Sequence, residues 1–90
     1  MNFPKVLDGA EVLYFTSQSS FGSVYYSAGG IADHICYLAI CKFINGDAFY
    51  LFGCNSDYEV VSDSPWGSIK ECMRIAKDSY NCEIAWIAMT

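Results

Sequence analysis

Apolar and polar positions change rhythm several times along the 90-residue chain. Glu11 to Thr16, EVLYFT, is a β-rich run preceded by the turn dipeptide Asp8-Gly9. His34 to Ile44, HICYLAICKFI, and Asp47 to Cys54, DAFYLFGC, are apolar runs on either side of Asn45-Gly46. An Asn-Gly dipeptide in that setting predicts a hairpin with a two-residue type I′ turn, both central residues at positive φ. The register then pairs Ile44 with Asp47, Cys41 with Tyr50, Ala39 with Phe52 and Tyr37 with Cys54. Ile40–Leu51 and Lys42–Phe49 fall on the opposite face. Both faces are largely apolar, which predicts central strands covered on two sides, or on one side by a partner molecule. The turn NSD at 55–57 leads into a shorter fourth run, YEVVSD.

From Ile69 the apolar positions Cys72, Met73, Ala76 and Tyr80 recur with helical spacing and form one stripe. Ser68 and Glu71 make the S-x-x-E capping box, with Pro65 and Gly67 just outside it. Lys70, Arg74 and Lys77 lie beside the stripe as a solvated flank, Asn81 ends the helix, and EIAWIAM is expected to be a final strand. Ser17 to Gly30, SQSSFGSVYYSAGG, carries no charge. It lacks the lysine of a phosphate loop and precedes a strand rather than a helix, so it is not a phosphate site. The expectation is a mobile turn, a short strand that folds back on EVLYFT, and a Gly-Gly hinge.

Composition narrows the class. The chain is 53% hydrophobic and 17% aromatic but only 17% charged, against roughly 25% charged in ordinary soluble domains. Such a chain folds, as one domain over residues 1–90. It holds more apolar surface than a small core uses, so an interface is expected, most simply a homodimer. The net charge of −5 sits in residues 1–68, where Asp8, Glu11, Asp33, Asp47, Asp57, Glu59 and Asp63 face only Lys5 and Lys42. Nucleic acid requires a cationic footprint and is not the expected partner; a basic protein suits this field better. No apolar run approaches the roughly 18 residues of a membrane helix. No secretory leader is visible, and five cysteines cannot all pair, so a cytoplasmic protein with reduced thiols is expected.

Candidate chemistry is sparse. His34, the only histidine, lies two residues from Cys36 and so on the same strand face, with Asp33 or Asn55 available to orient the ring. Two neighbours on one strand are too weak a pattern to name a catalyst, and an edge histidine beside a buried thiol explains them equally. The nearest cysteine spacing, Cys36 to Cys41, places the two on opposite faces of one strand and lacks the C-x₂₋₄-C knuckle of zinc sites. No catalytic, metal or cofactor site is therefore expected. Asp57 and Glu59 with Asp63 are a solvated carboxylate group around a turn, and Trp66 and Trp86 are expected in the core. Phe21, Tyr25 and Tyr26 differ: rigid amphipathic rings among few apolar neighbours make good interface anchors.

The block CYLAICKF…DAFYLFGCNSDYEVVSDSPWGS resembles a family of small uncharacterised bacterial proteins. These carry a hairpin of the form AIC…FYLF.CD..W, then D.W..S and an amphipathic helix; the resemblance covers roughly residues 34–80. It implies a single α+β domain and assigns no motif position to catalysis. A small acidic chain with exposed aromatics is also similar in general type to toxin-neutralising immunity proteins. The expected fold is α+β, an antiparallel β-meander of four to five strands with one helix at about 69–80 on the sheet and a C-terminal strand. The expected function is non-catalytic protein binding, most concretely an immunity-type inhibitor that occludes a basic site through Phe21, Tyr25, Tyr26, Asp57 and Glu59. The alternatives are a small-molecule binder or enzyme with a pocket between sheet and helix near Trp66 and His34, and an oligomeric accessory subunit.

Overall fold

In the computed structural model, which describes residues 3–90, the chain is α+β. The strands are β1 (Val6–Leu7), β2 (Ala10–Phe15), β3 (Gly22–Tyr25), β4 (Ile31–Ile35), β5 (Tyr37–Lys42), β6 (Phe49–Cys54) and β7 (Val60–Trp66). Helix α1 (Ile69–Tyr80) and strand β8 (Ile87–Ala88) complete the chain. The main sheet is antiparallel, ordered β1-β2-β5-β6-β7, with β8 also on β2, and it curls as a half-barrel. β3 and β4 form a separate two-stranded ribbon inserted between β2 and β5.

The β5–β6 register is the one the apolar pattern predicts, pairing Tyr37 with Cys54, Ala39 with Phe52, Ile40 with Leu51 and Cys41 with Tyr50. Both faces are covered. Tyr37, Ala39, Cys41, Phe52 and Cys54 join Phe3, Leu7, Val12 and Phe15 in one cluster. Leu38, Ile40 and Leu51 join Cys72 and Ala76 of α1 in the other. A bulge between Val12 and Tyr14 lets β2 serve both: Val12 and Phe15 face the first cluster while Tyr14 packs on the second.

The connecting turn differs from the expectation. Gly46 donates its N–H to the Phe43 carbonyl at 3.0 Å, so the turn is centred on Ile44 and Asn45. Neither Asn45 nor Gly46 has positive φ. The ladder opens after Cys41–Tyr50, where the Phe43 ring packs edge-on against Tyr50 with centroids 5.3 Å apart, and Lys42–Phe49 does not pair. The two-residue turn at positive φ is instead Asp8-Gly9, with φ of 48° and 83°, between the paired residues Leu7 and Ala10.

Three further expectations are corrected. β3 pairs forward with β4 rather than back on β2, whose neighbour on that side is β5. The run from His34 to Ile44 is two strands, because the chain breaks at Cys36 to leave the ribbon and enter the main sheet. That break resets the alternation, so Cys36 and Cys41 pack on the same cluster instead of opposite faces. β7 is the longest strand, running through Pro65 to Trp66, and β8 is only two residues long. The helix begins and ends as its signals indicate. Ser68 Oγ accepts from the Glu71 amide at 3.0 Å, Glu71 Oε1 accepts from Gly67 N, and Asn81 closes the helix at φ 50°. Among the described residues, no helix is long and apolar enough to cross a membrane.

Candidate functional site

Two hairpin loops of the same construction stand near one end of the sheet. In the first, Tyr26 donates its N–H to Gly30 O and Gly29 donates to Tyr26 O, with Gly29 at φ 100°. In the second, Asn55 donates to Glu59 O and Tyr58 donates to Asn55 O, with Tyr58 at φ 63°. Each is a type I turn followed by a left-handed residue, a loop in which glycine is the ordinary choice. Tyr58 takes that conformation against its steric preference. Its ring stacks on Tyr37 with centroids 4.8 Å apart and meets Phe3 edge-on at 5.3 Å, which holds it there.

Asn55 ties the loops together. It is buried, its Oδ1 accepts from the Asp57 and Glu59 amides at 2.9 Å each, and its Nδ2 donates to Asp33 Oδ2 and Glu59 Oε1. The base of the β3–β4 ribbon is thereby pinned to the β6–β7 loop, and Asp33, Asp57 and Glu59 gather at one corner. The Asn55 amide and the His34 backbone N–H hold the Asp33 carboxyl below its ordinary value of 3.8.

Beyond that corner the ribbon is exposed. Every residue from Tyr25 to Ala32 is solvent-exposed, and none between Ser17 and Ala32 is charged. Tyr25 and Tyr26 stand 62% and 63% open, with Ile31 at 54%. Of the five anticipated interface residues, the structure places Tyr25 and Tyr26 at this tip and Asp57 and Glu59 beside its base. Phe21 is not with them: it packs edge-on against Tyr80 of α1 and belongs to the second cluster. The signal for Ile31, an isoleucine directly after Gly29-Gly30, was present in the chain but is easily read as strand interior.

The His34 ring lies within hydrogen-bond distance of Ser23 Oγ, 3.2 Å from Nδ1. Asp33 engages the His34 main chain and Asn55 rather than the far ring nitrogen, so the Ser-His contact has no orienting carboxylate of the kind a triad uses. Trp66 pairs with Phe49 at the opposite end of β6 from Asn55, so Trp66 and His34 do not share a pocket. Both tryptophans pack on the second cluster. Among the described residues no group of His, Cys, Asp and Glu is placed to hold a metal ion. The five cysteines are unpaired; burial pushes the Cys41 and Cys54 thiols up to about 12 and Cys72 to about 11. Thiols held protonated in this way are poor nucleophiles. On α1, Arg74 lies 3.9 Å from Glu71 and 3.7 Å from Asp78, and Lys77 lies 2.8 Å from Glu83, so this basic flank is largely matched by carboxylates. Comparison with family models, curated proteins and solved structures finds no match, so the resemblance noted above rests on the hairpin-and-cap motif alone.

Proposed function

We propose that the protein is a non-catalytic binding domain that inserts the β3–β4 tip into an apolar cleft of a basic protein. The observation that carries this reading is the run of eight exposed, uncharged residues, Tyr25 to Ala32, bearing two tyrosines and an isoleucine. Water-facing apolar groups cost solubility, and rigid rings bind with little loss of side-chain freedom. Asp33, Asp57 and Glu59 beside the ribbon base would meet a basic rim on the partner and, with the net charge of −5, speed its approach. In its most concrete form this is an immunity-type inhibitor that occludes a basic site. Structural matching with carboxylates leaves the α1 flank a weaker contact surface.

Photo-crosslinking tests the reading. A benzophenone side chain at position 26 in living cells should capture a basic protein that the same group at Ile44, an equally open apolar position on the β5–β6 loop, does not. Binding of that protein should weaken with added salt and with Asp57→Asn plus Glu59→Gln. Equal capture from both positions, or a captured protein indifferent to these carboxylates, would contradict it.

A further inference from the structure

We propose that two copies of the chain associate through the outer edge of β3, forming a two-fold, four-stranded sheet in the order β4-β3-β3-β4. This contact uses the strand edge, whereas the partner binding proposed above uses the ribbon tip.

A free strand edge is a template for another strand, and folded proteins blunt such edges with charges, proline or brevity. The other edges of this molecule are blunted. β7 carries exposed Asp63 and Pro65. β1 and β8 share the outer side of β2 as segments of two residues each. β3 pairs on one side only, with β4, and its surroundings from Ser17 to Ala32 hold neither a charge nor a proline. It is the unguarded edge among the described residues.

Charge selects a second copy as the occupant. Each molecule carries −5, so most approaches bring carboxylates together. An antiparallel β3–β3 pair brings together the stretch that has none, and an isologous contact of this kind closes on itself as a dimer. Size sets its strength. The exposed parts of Tyr25 and Tyr26 offer about 250 Å² per copy. With Val24, Ile31 and the strand backbone the contact reaches the lower end of specific interfaces, about 1,200 Å² in total. A reversible dimer with a dissociation constant on the order of tens of micromolar follows.

Sedimentation equilibrium of the full chain up to about 0.5 mM, with hydrogen exchange at both concentration extremes, tests this. The expected result is a monomer–dimer equilibrium that tightens or holds steady as salt rises, because screening relieves the repulsion between two acidic chains. Amides from Gly22 to Tyr25 should gain at least tenfold protection in the dimer, and Tyr25→Lys should weaken dimerisation at least tenfold. Should Tyr25→Lys fail to fold, the wild-type protection pattern decides alone. A monomer throughout would overturn the proposal. So would a dimer that salt weakens, as a contact between the α1 cations and the acidic corner would be, or one whose β3 amides exchange as in the monomer. Absence of the dimer leaves the position-26 crosslink standing, and absence of the crosslink leaves the dimer standing, so the two readings fail separately.

Discussion

Replacing Asn55 by Ala removes the side chain that joins the ribbon to the sheet. Its Oδ1 accepts from two backbone amides, Asp57 N and Glu59 N, at 2.9 Å each, in a residue only 6% exposed. A net contribution of about 1 kcal/mol per bond gives about 2 kcal/mol, and the void left by the amide raises the expected loss to about 2–3 kcal/mol. The two bonds to carboxylate oxygens are left out of this figure because water can replace them. For a chain of this size the melting temperature should fall by about 10–20 °C. Urea unfolding should show a lower midpoint with the slope preserved. Asp33 provides a local reading of the same change. Its folded pKa lies below the ordinary 3.8, chiefly through Asn55 and then the His34 amide. It therefore adds stability above the unfolded value, and that stability is lost as pH falls through the lower folded value. In Asn55→Ala the carboxyl should titrate closer to 3.8, and the gap in stability between wild type and variant should narrow below about pH 4. A loss under about 0.5 kcal/mol, or an unmoved Asp33 titration by carbon NMR, would refute the role given to Asn55.

Three other outcomes follow from the packing. Ser68→Ala should cost about 1 kcal/mol in urea unfolding by orphaning the Glu71 amide. Alkylation of the native protein at pH 8 should modify exposed Cys82 fastest and leave Cys41, Cys54 and Cys72 untouched until unfolding. These three thiols have folded pKa values above the ordinary 9.0, so stability is full below that value and should fall as pH rises from it towards about 12. Gly53→Ala would press its methyl on Ser62 Oγ and, at 3.2 Å, on Ile35 Cγ2; a loss of about 1–3 kcal/mol is expected, partly restored by adding Ser62→Ala.

The helix and the central hairpin were legible in the chain because each rests on local chemistry. Ser68, Glu71 and Asn81 state the ends of α1 in their own hydrogen bonds, and the apolar residues on both faces of β5 and β6 fix the register whatever the turn does. Asn45-Gly46 misled as to the turn because the packing of Phe43 on Tyr50 outweighs a preference of two residues. The break at Cys36 leaves no mark in an unbroken apolar run, since a buried strand entering a second sheet has the same composition as one continuing in the first. At the candidate site, Tyr25 and Tyr26 were visible as aromatics in a charge-free stretch. Asn55 was visible only as a turn residue, because the contacts to Asp33 span 22 residues of chain. Phe21 was misplaced for the same reason: Tyr80, its partner, comes from the far end of the helix.

The central claim is that the ribbon tip is a binding element, and the double variant Tyr25→Ser/Tyr26→Ser, titrated by calorimetry against the protein captured from position 26, tests it most directly. Both rings are more than three-fifths exposed, so their loss should shift the melting temperature by no more than a few degrees. Binding should weaken at least a hundredfold, as expected when two aromatic anchors of about 1.5 kcal/mol or more each are removed. Unchanged affinity, or a loss of binding that only accompanies a comparable collapse in stability, would contradict the account.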